Sequence, residues 1–234
     1  MNINYDIEQR GWHNTDVDVS ISINDLNISK VWYQWTKSED KPSGFTSLNG
    51  WWLVENDKWT KLGSVNTFST TQTTEGVWYL HTRVADTNGN IFYNHSGAYK
   101  IDKTPPIIAS ADISIDAPND IYDTYTATII WNVEDSRAGV DKTKIGFYID
   151  GTWYYDKTNL PNGITTNADL SSIKGDGSKT VIINNIPREV DIKVSWQGFD
   201  IATNVTNEAT SNQVHTPRIY NSGGTSAPSE YIVD

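Results

Sequence analysis

Cysteine is absent from the 234 residues. That excludes disulfides, thiol nucleophiles and cysteine-held metals. Basic residues are the minority: 18 Lys and Arg stand against 29 Asp and Glu, a net charge of −11. A surface of that sign repels phosphate backbones, so no nucleic-acid partner is expected. No run of basic residues suits an anionic membrane either. No apolar run approaches the roughly 18 residues that a spanning helix needs, so no membrane insertion is expected. The opening "MNINYDIEQRGW" has no apolar centre and does not read as a signal peptide. The chain is then expected to be either a piece of a longer protein or one that reaches the outside by another route, such as virion assembly. Helical periodicity is missing too, since apolar residues do not recur at i, i+3, i+4 and i+7 over any long stretch.

What the chain has is alternation and large rings. There are 10 Trp and 12 Tyr, enough bulk to fill cores where aliphatic residues are scarce. In "DVDVSISI", Val17, Val19, Ile21 and Ile23 fall on one face and Asp16, Asp18, Ser20 and Ser22 on the other, the pattern of a half-buried strand. In "VWYQWT", Val31, Tyr33 and Trp35 share a face. In "VWYLHTRVAD", Trp78, Leu80, Thr82 and Val84 do the same. Asn, Asp, Gly, Ser and Lys punctuate these runs. The fold class read from this is all-β.

"KIDKTPP" closes the first series of strands, because Pro105 and Pro106 cannot donate ladder hydrogen bonds. The second half then repeats the plan of the first. Val17, Val19, Ile21 and Ile23 align with Ala127, Ile129, Trp131 and Val133, and Asp25 with Asp135. Further on, "VADTNGN" aligns with "GFDIATN", each keeping Asp-x-x-x-Asn: Asp86 with Asn90, Asp200 with Asn204. Two copies mean tandem domains and not a solenoid. The expected division is 1–104, 105–217, and a Ser, Gly and Pro-rich linker or tail over 218–234.

These residues carry a resemblance. Trp12, the bend "NDLNIS", the Val31-x-Tyr33-x-Trp35 strand, "GVWYLH" from Gly76 to His81, the "DTNGN" turn and the exit "YKIDKTPP" resemble bacterial Ig-like repeats of Gram-positive surface proteins and their phages. The match spans residues 12–106. It is looser over 107–217, which keep "EDSRAGVD", Asp200 and Asn204 but lack the Trp-Tyr-Leu-His run. The resemblance implies two tandem Ig-like or fibronectin-III-like antiparallel sandwiches, a plan used for spacers, stalks and adhesive units.

Chemistry is harder to find. As an EF-hand, "DTNGN" needs Gly at loop position 6 and Glu at position 12, where Ile91 and Gly97 stand. A hairpin turn at Asn88-Gly89, of type I′, is expected instead. No metal or cofactor is expected, although a calcium site of another kind stays open because Asp and Asn crowd the loops. His13, His81, His95 and His215 are scattered, and no hydrolase or phosphate-loop motif occurs. "GDGSK" from Gly175 reads as a hairpin tip. No catalytic residue is assigned and no enzyme activity is expected.

The remaining signal is aromatic. If Val31, Tyr33 and Trp35 face the core, then Trp32 and Gln34 face out, and Tyr79, His81 and Arg83 face out beside them. That patch suits a sugar ring or a protein partner. The plainer reading, which outweighs it, is a cross-strand stack of Trp32 and Tyr79. Trp51, Trp52 and Trp59 in "NGWWLVENDKW" join it as candidate binding residues, and Trp153, Tyr154 and Tyr155 pose the same question in the second half. The second half's matching outward positions are Lys193, Ser195 and Gln197, so the patch is expected in the first domain. The functional expectation is a non-enzymatic structural and adhesion module, a spacer with weak glycan or protein contact. It would be extracellular, on a cell or virion surface. A phage tail, baseplate or decoration protein and a carbohydrate-binding accessory domain of a secreted hydrolase are the alternatives.

Overall fold

The strand Val17–Asn24 shows how the sequence builds the fold. Val17, Val19, Ile21 and Ile23 are buried, and Asp18, Ser20, Ser22 and Asn24 are exposed. In a computed structural model that describes residues 1–6, 11–48, 51–54, 58–116 and 124–217, that strand lies between Asn2–Tyr5 and Thr67–Gln72 in a three-stranded antiparallel sheet. A second sheet runs Trp12–His13, Tyr99–Ile101, Gly76–Asp86, Ile28–Thr36, Thr60–Leu62, with Ile91–His95 on the far half of Gly76–Asp86. Trp12–His13 pairs parallel to Tyr99–Ile101, so the first edge changes sheet along its length. Val31, Leu80, Val84, Tyr99 and Ile101 of this sheet pack against the four aliphatics of Val17–Asn24. Full burial of such side chains contributes about 1.5–3 kcal/mol each. Tyr33 stacks on Phe68 of the opposite sheet at 5.4 Å, and the Trp35 indole donates to Thr70 Oγ1 at 3.2 Å. These contacts place Tyr33 and Trp35 on the inner face.

By its contacts the chain divides into two units. The first is Met1–Pro106 with the loops Asp135–Asp141 and Phe199–Thr206; the second is Ile107–Glu134, Lys142–Gly198 and Asn207–Asp234. The second unit is again a pair of sheets: Ile107–Ile115, Tyr125–Glu134, Gly177–Ile186, Thr165–Thr166, and Thr152–Tyr154, Val140–Ile149, Asp191–Asp200, Ala209–Thr210. Tyr125, Ala127, Ile129, Trp131 and Val133 are buried in alternation, facing inward with Ile145, Phe147, Val194 and Trp196. The Trp131 indole crosses between the sheets to donate to Thr143 Oγ1 at 3.4 Å. The fold is therefore all-β, two Ig-like antiparallel sandwiches. The tail 218–234 lies outside the described residues.

The repeat survives at atomic detail in its turns. Asp86 N donates to Asn90 O at 3.0 Å and Asp200 N to Asn204 O at 3.1 Å. Each Asn returns its backbone N–H to Oδ1 of its Asp at 2.8 Å and its side-chain amide to Oδ2 at 2.7 Å. Asp86 is thus a turn acid whose oxygens its own loop occupies. The turn is not the type I′ pair expected at Asn88-Gly89. Only Gly89 has positive φ, at 87°, and Gly89 N donates to Asp86 O, which gives a three-residue loop with one left-handed residue.

In the second copy that position is Thr203, at φ 72°. A β-branched residue there is strained by roughly 1–2 kcal/mol, whereas glycine is not. Thr203→Gly should therefore gain about 0.5–1 kcal/mol after the entropy of a new glycine and the loss of the exposed Asn14 to Thr203 bond are counted. Gly89→Thr should lose a similar amount. Urea midpoints of the two variants check both signs.

Candidate functional sites on the sheet faces

Strand register puts the expected patch on one face. Trp32 lies opposite Arg83, Gln34 opposite His81, and Thr36 opposite Tyr79. The expectation that this face is open does not hold. Trp32 is 3% exposed, His81 0% and Arg83 5%, while Gln34 and Tyr79 are half-buried. The segment after Thr36 folds back over the sheet. Trp59, 1% exposed, packs with Trp32 and Ala85, and its indole donates to Ser43 O at 3.1 Å. Arg83 Nη2 donates to Pro42 O at 3.2 Å, and its guanidinium lies 4.8 Å from the Trp59 ring centre and 5.6 Å from that of Tyr93. Two indoles on an outer sheet face carry too much apolar area to leave in water, and the covering segment makes a second small core of them. The strand Trp51–Val54 pairs with Phe45–Leu48; the side chains of Trp51 and Trp52 lie outside the described residues.

His81 fastens this cover. Its Nε2 lies 3.0 Å from Ser38 O and 2.9 Å from Thr36 Oγ1; its Nδ1 lies 2.7 Å from Tyr93 Oη. A carbonyl only accepts, so Nε2 carries the proton and Nδ1 accepts from the tyrosine. Burial holds the imidazole pKa below its ordinary value, and the nearby His95 and Arg83 push it the same way. The unfolded chain then binds the proton more readily than the folded one. His81 therefore stabilises the first unit above the ordinary histidine pKa, and that contribution is lost as pH falls through it. Chemical melts from pH 7.5 to 5 should show the first unit weakening, with a shallower slope in His81→Gln.

A second constellation in the first unit joins Asp102, Asp135 and Asp200, whose carboxylate oxygens lie within 4.8 Å of one another. Asp102 is fully buried and accepts from Ala138 N at 2.9 Å and Thr104 N at 3.1 Å; Arg137 lies 4.0 Å away. Asp135 accepts from Arg137 N and Gly139 N, both at 2.9 Å. Burial raises the Asp200 carboxyl, and the charges of Asp102 and Asp135 add to it. Such oxygens suit a proton or a hard cation. The repeat had paired Asp135 with Asp25 and Asp200 with Asp86 as turn acids. Asp102, in the exit sequence, carried no signal that it would join them.

The open aromatic face is in the second unit. Lys193, Ser195 and Gln197 share an outer sheet face with Lys144, Gly146 and Tyr148 of Val140–Ile149, and with Trp153 and Tyr155 beyond it. Tyr148 is paired with Trp153, their rings 5.3 Å apart, and Trp153 stacks on Tyr155 at 6.1 Å and 22°. Lys193 Nζ stands 5.1 Å over the Tyr148 ring. Beside this ladder lies a cleft of about 240 Å³, lined by Lys144, Tyr155, Ser171, Ser195, Gln197 and Glu208, with Gly146 as its floor. A Cβ on Gly146 would stand 2.7 Å from Tyr155 Cε1 and 3.1 Å from Trp153 Cε3, so the missing side chain makes the room. Tyr155 is 46% exposed, and its hydroxyl reaches Glu208 Oε1 at 3.5 Å. Burial raises the phenol's pKa, and Glu208 adds to the shift. Sequence reasoning raised Trp153 and Tyr155 as a question but did not place them beside Lys193, Ser195 and Gln197, and so expected the patch in the first domain. The visible signal was the glycine inside "KIGFYI", since an interior strand glycine marks a close approach.

No protein-family model and no curated protein matches the chain. Among solved structures, it is similar to the fibronectin(III)-like modules of CbhA from Clostridium thermocellum, at 12% identity over 92% of this chain and 94% of that one, with a TM-score of 0.32. It is also similar to a chicken TCR structure, at 11% identity over 93% and 100%, with a TM-score of 0.31. The fold assignment stands on the strand pairing and cores given above.

Proposed function

We propose that this chain is a non-enzymatic structural and adhesion module displayed on a cell or virion surface. Its two sandwiches act as a support, and its ligand contact is made by the second unit. The observation that carries this is the difference between two equivalent sheet faces. In the first unit the face is covered by Trp59 and by the backbone at Pro42 and Ser43. In the second, Tyr155, stacked on Trp153, lines an open cleft. Ring faces beside hydrogen-bonding groups suit ligand binding. The acidic surface, at net −11, favours partners other than nucleic acid.

Beads coated with the full chain test this. They should adhere to intact cells, and soluble chain should compete. Folded chain that holds beads to none of a broad set of bacterial and animal cells would contradict it.

A further inference from the structure

We propose that the cleft beside Tyr155 is a subsite for one uncharged pyranose ring of a glycan. This rests on the adhesive reading above and names the ligand class of the same site.

Size comes first. At about 240 Å³ the cleft is smaller than the roughly 300–1,000 Å³ typical of drug-sized ligand pockets, which suits a single ring. Its chemistry is divided in the same way as a sugar's. The C–H face of a pyranose is apolar and flat, and Tyr155 offers a half-exposed ring backed by the stacked Trp153. A sugar's rim is hydroxyl, both donor and acceptor. Around Tyr155 stand an ammonium donor on Lys144, an amide on Gln197, an acceptor carboxylate on Glu208 and the hydroxyl of Ser171.

The ladder is held before any ligand arrives. Tyr148 and Trp153 are a cross-strand pair, Lys193 covers Tyr148, and Gly146 lets Tyr155 lie close to the strand. Little ordering is left to oppose binding. Charge separates sugar classes at long range: Lys144 offsets Glu208 within the cleft, and the net charge of −11 on the chain opposes sulfated or sialylated chains. A protein partner would prefer a wider apolar patch than one exposed tyrosine and its neighbours.

The test uses the full chain on a printed array of neutral, sialylated and sulfated glycans, followed by calorimetry with the soluble form of the strongest ligand. Binding to neutral glycans is expected, with a Kd of about 0.1–5 mM, as stacking plus a few hydrogen bonds gives. Salt should change it little. Tyr155→Ala should weaken it by about tenfold or more; because Tyr155 is exposed, the variant should keep its melting curve. Gln197→Ala should weaken it less. Three results would overturn the proposal: no neutral glycan bound, neutral binding unchanged in Tyr155→Ala, or binding confined to anionic glycans and abolished by salt. Cell adhesion that persists while the array stays blank would leave the adhesive reading standing, point to a protein partner, and sink the pyranose subsite alone.

Discussion

Trp59→Ala should destabilise the first unit by about 3–5 kcal/mol, far more than a loop substitution ordinarily does. Trp59 lies in the segment that covers an outer sheet face, yet it is 1% exposed and packs with Trp32 and Ala85. Truncation leaves a cavity the size of an indole. It also removes the donor to Ser43 O and the ring under the Arg83 guanidinium. Arg83 would then keep its bond to Pro42 O and its place by the Tyr93 ring, with the Trp59 ring gone. The inner core of Val19, Ile21, Leu80 and Tyr99 is untouched. The unit should therefore still fold in the cold, and lose its cover before its core on warming. Calorimetry should show one of two transitions moved down, and His81 should become reactive to an imidazole-modifying reagent at temperatures where wild type is inert. A shift under about 1 kcal/mol would mean that Trp59 is not the keystone of the cover.

Gly146→Ala is the second substitution with a large expected effect. The new methyl would overlap the Ser195 hydroxyl and stand 2.7 Å from Tyr155 Cε1. Ser195 is buried, so Tyr155, at the exposed end, has to swing away. Overpacking of this kind costs about 1–3 kcal/mol. The second unit should therefore melt earlier, and the cleft should close. Tyr155→Ala offers the contrast, since it removes the stacking ring with little change in stability. If the site is real, the two variants differ in melting and agree in lost binding. Gly146→Ala with unchanged melting and unchanged binding would mean that the cleft floor is not where the structure puts it.

Much of the architecture was legible in the sequence because period two is a local property. Val17 to Ile23 and Ala127 to Val133 declare their inner faces without help from the rest of the chain. The repeat was legible for a related reason: Asp86 with Asn90 and Asp200 with Asn204 close the same loop with the same five-residue set of bonds. Even the turn had a sequence cue, although its type depended on how many residues take positive φ. Gly89 alone does, and the second copy tolerates Thr203 there.

The sites were less legible because they depend on what crosses over a face. Alternation correctly set Trp32, Gln34, Tyr79, His81 and Arg83 on the outer side. It carried no information about a returning segment, so it could not distinguish outer from exposed. Trp59 looked like a surface candidate for the same reason. In the second unit the error ran the other way. Lys193, Ser195 and Gln197 looked bland because their aromatic neighbours Tyr148, Trp153 and Tyr155 lie far earlier in the sequence, on and beside other strands. Asp102 shows the same limit, since its companions Asp135 and Asp200 meet it only through the fold.

The central claim is that the second unit's outer sheet face is open and the first unit's is covered. Hydroxyl-radical footprinting of the full chain, read by mass spectrometry, tests it without a ligand. The account predicts rapid oxidation of Tyr155, measurable oxidation of its half-buried neighbour Trp153, and strong protection of Trp32, Trp59 and His81 until the first unit unfolds. Fast oxidation of Trp32 and Trp59 in the folded chain, with Tyr155 protected, would contradict it.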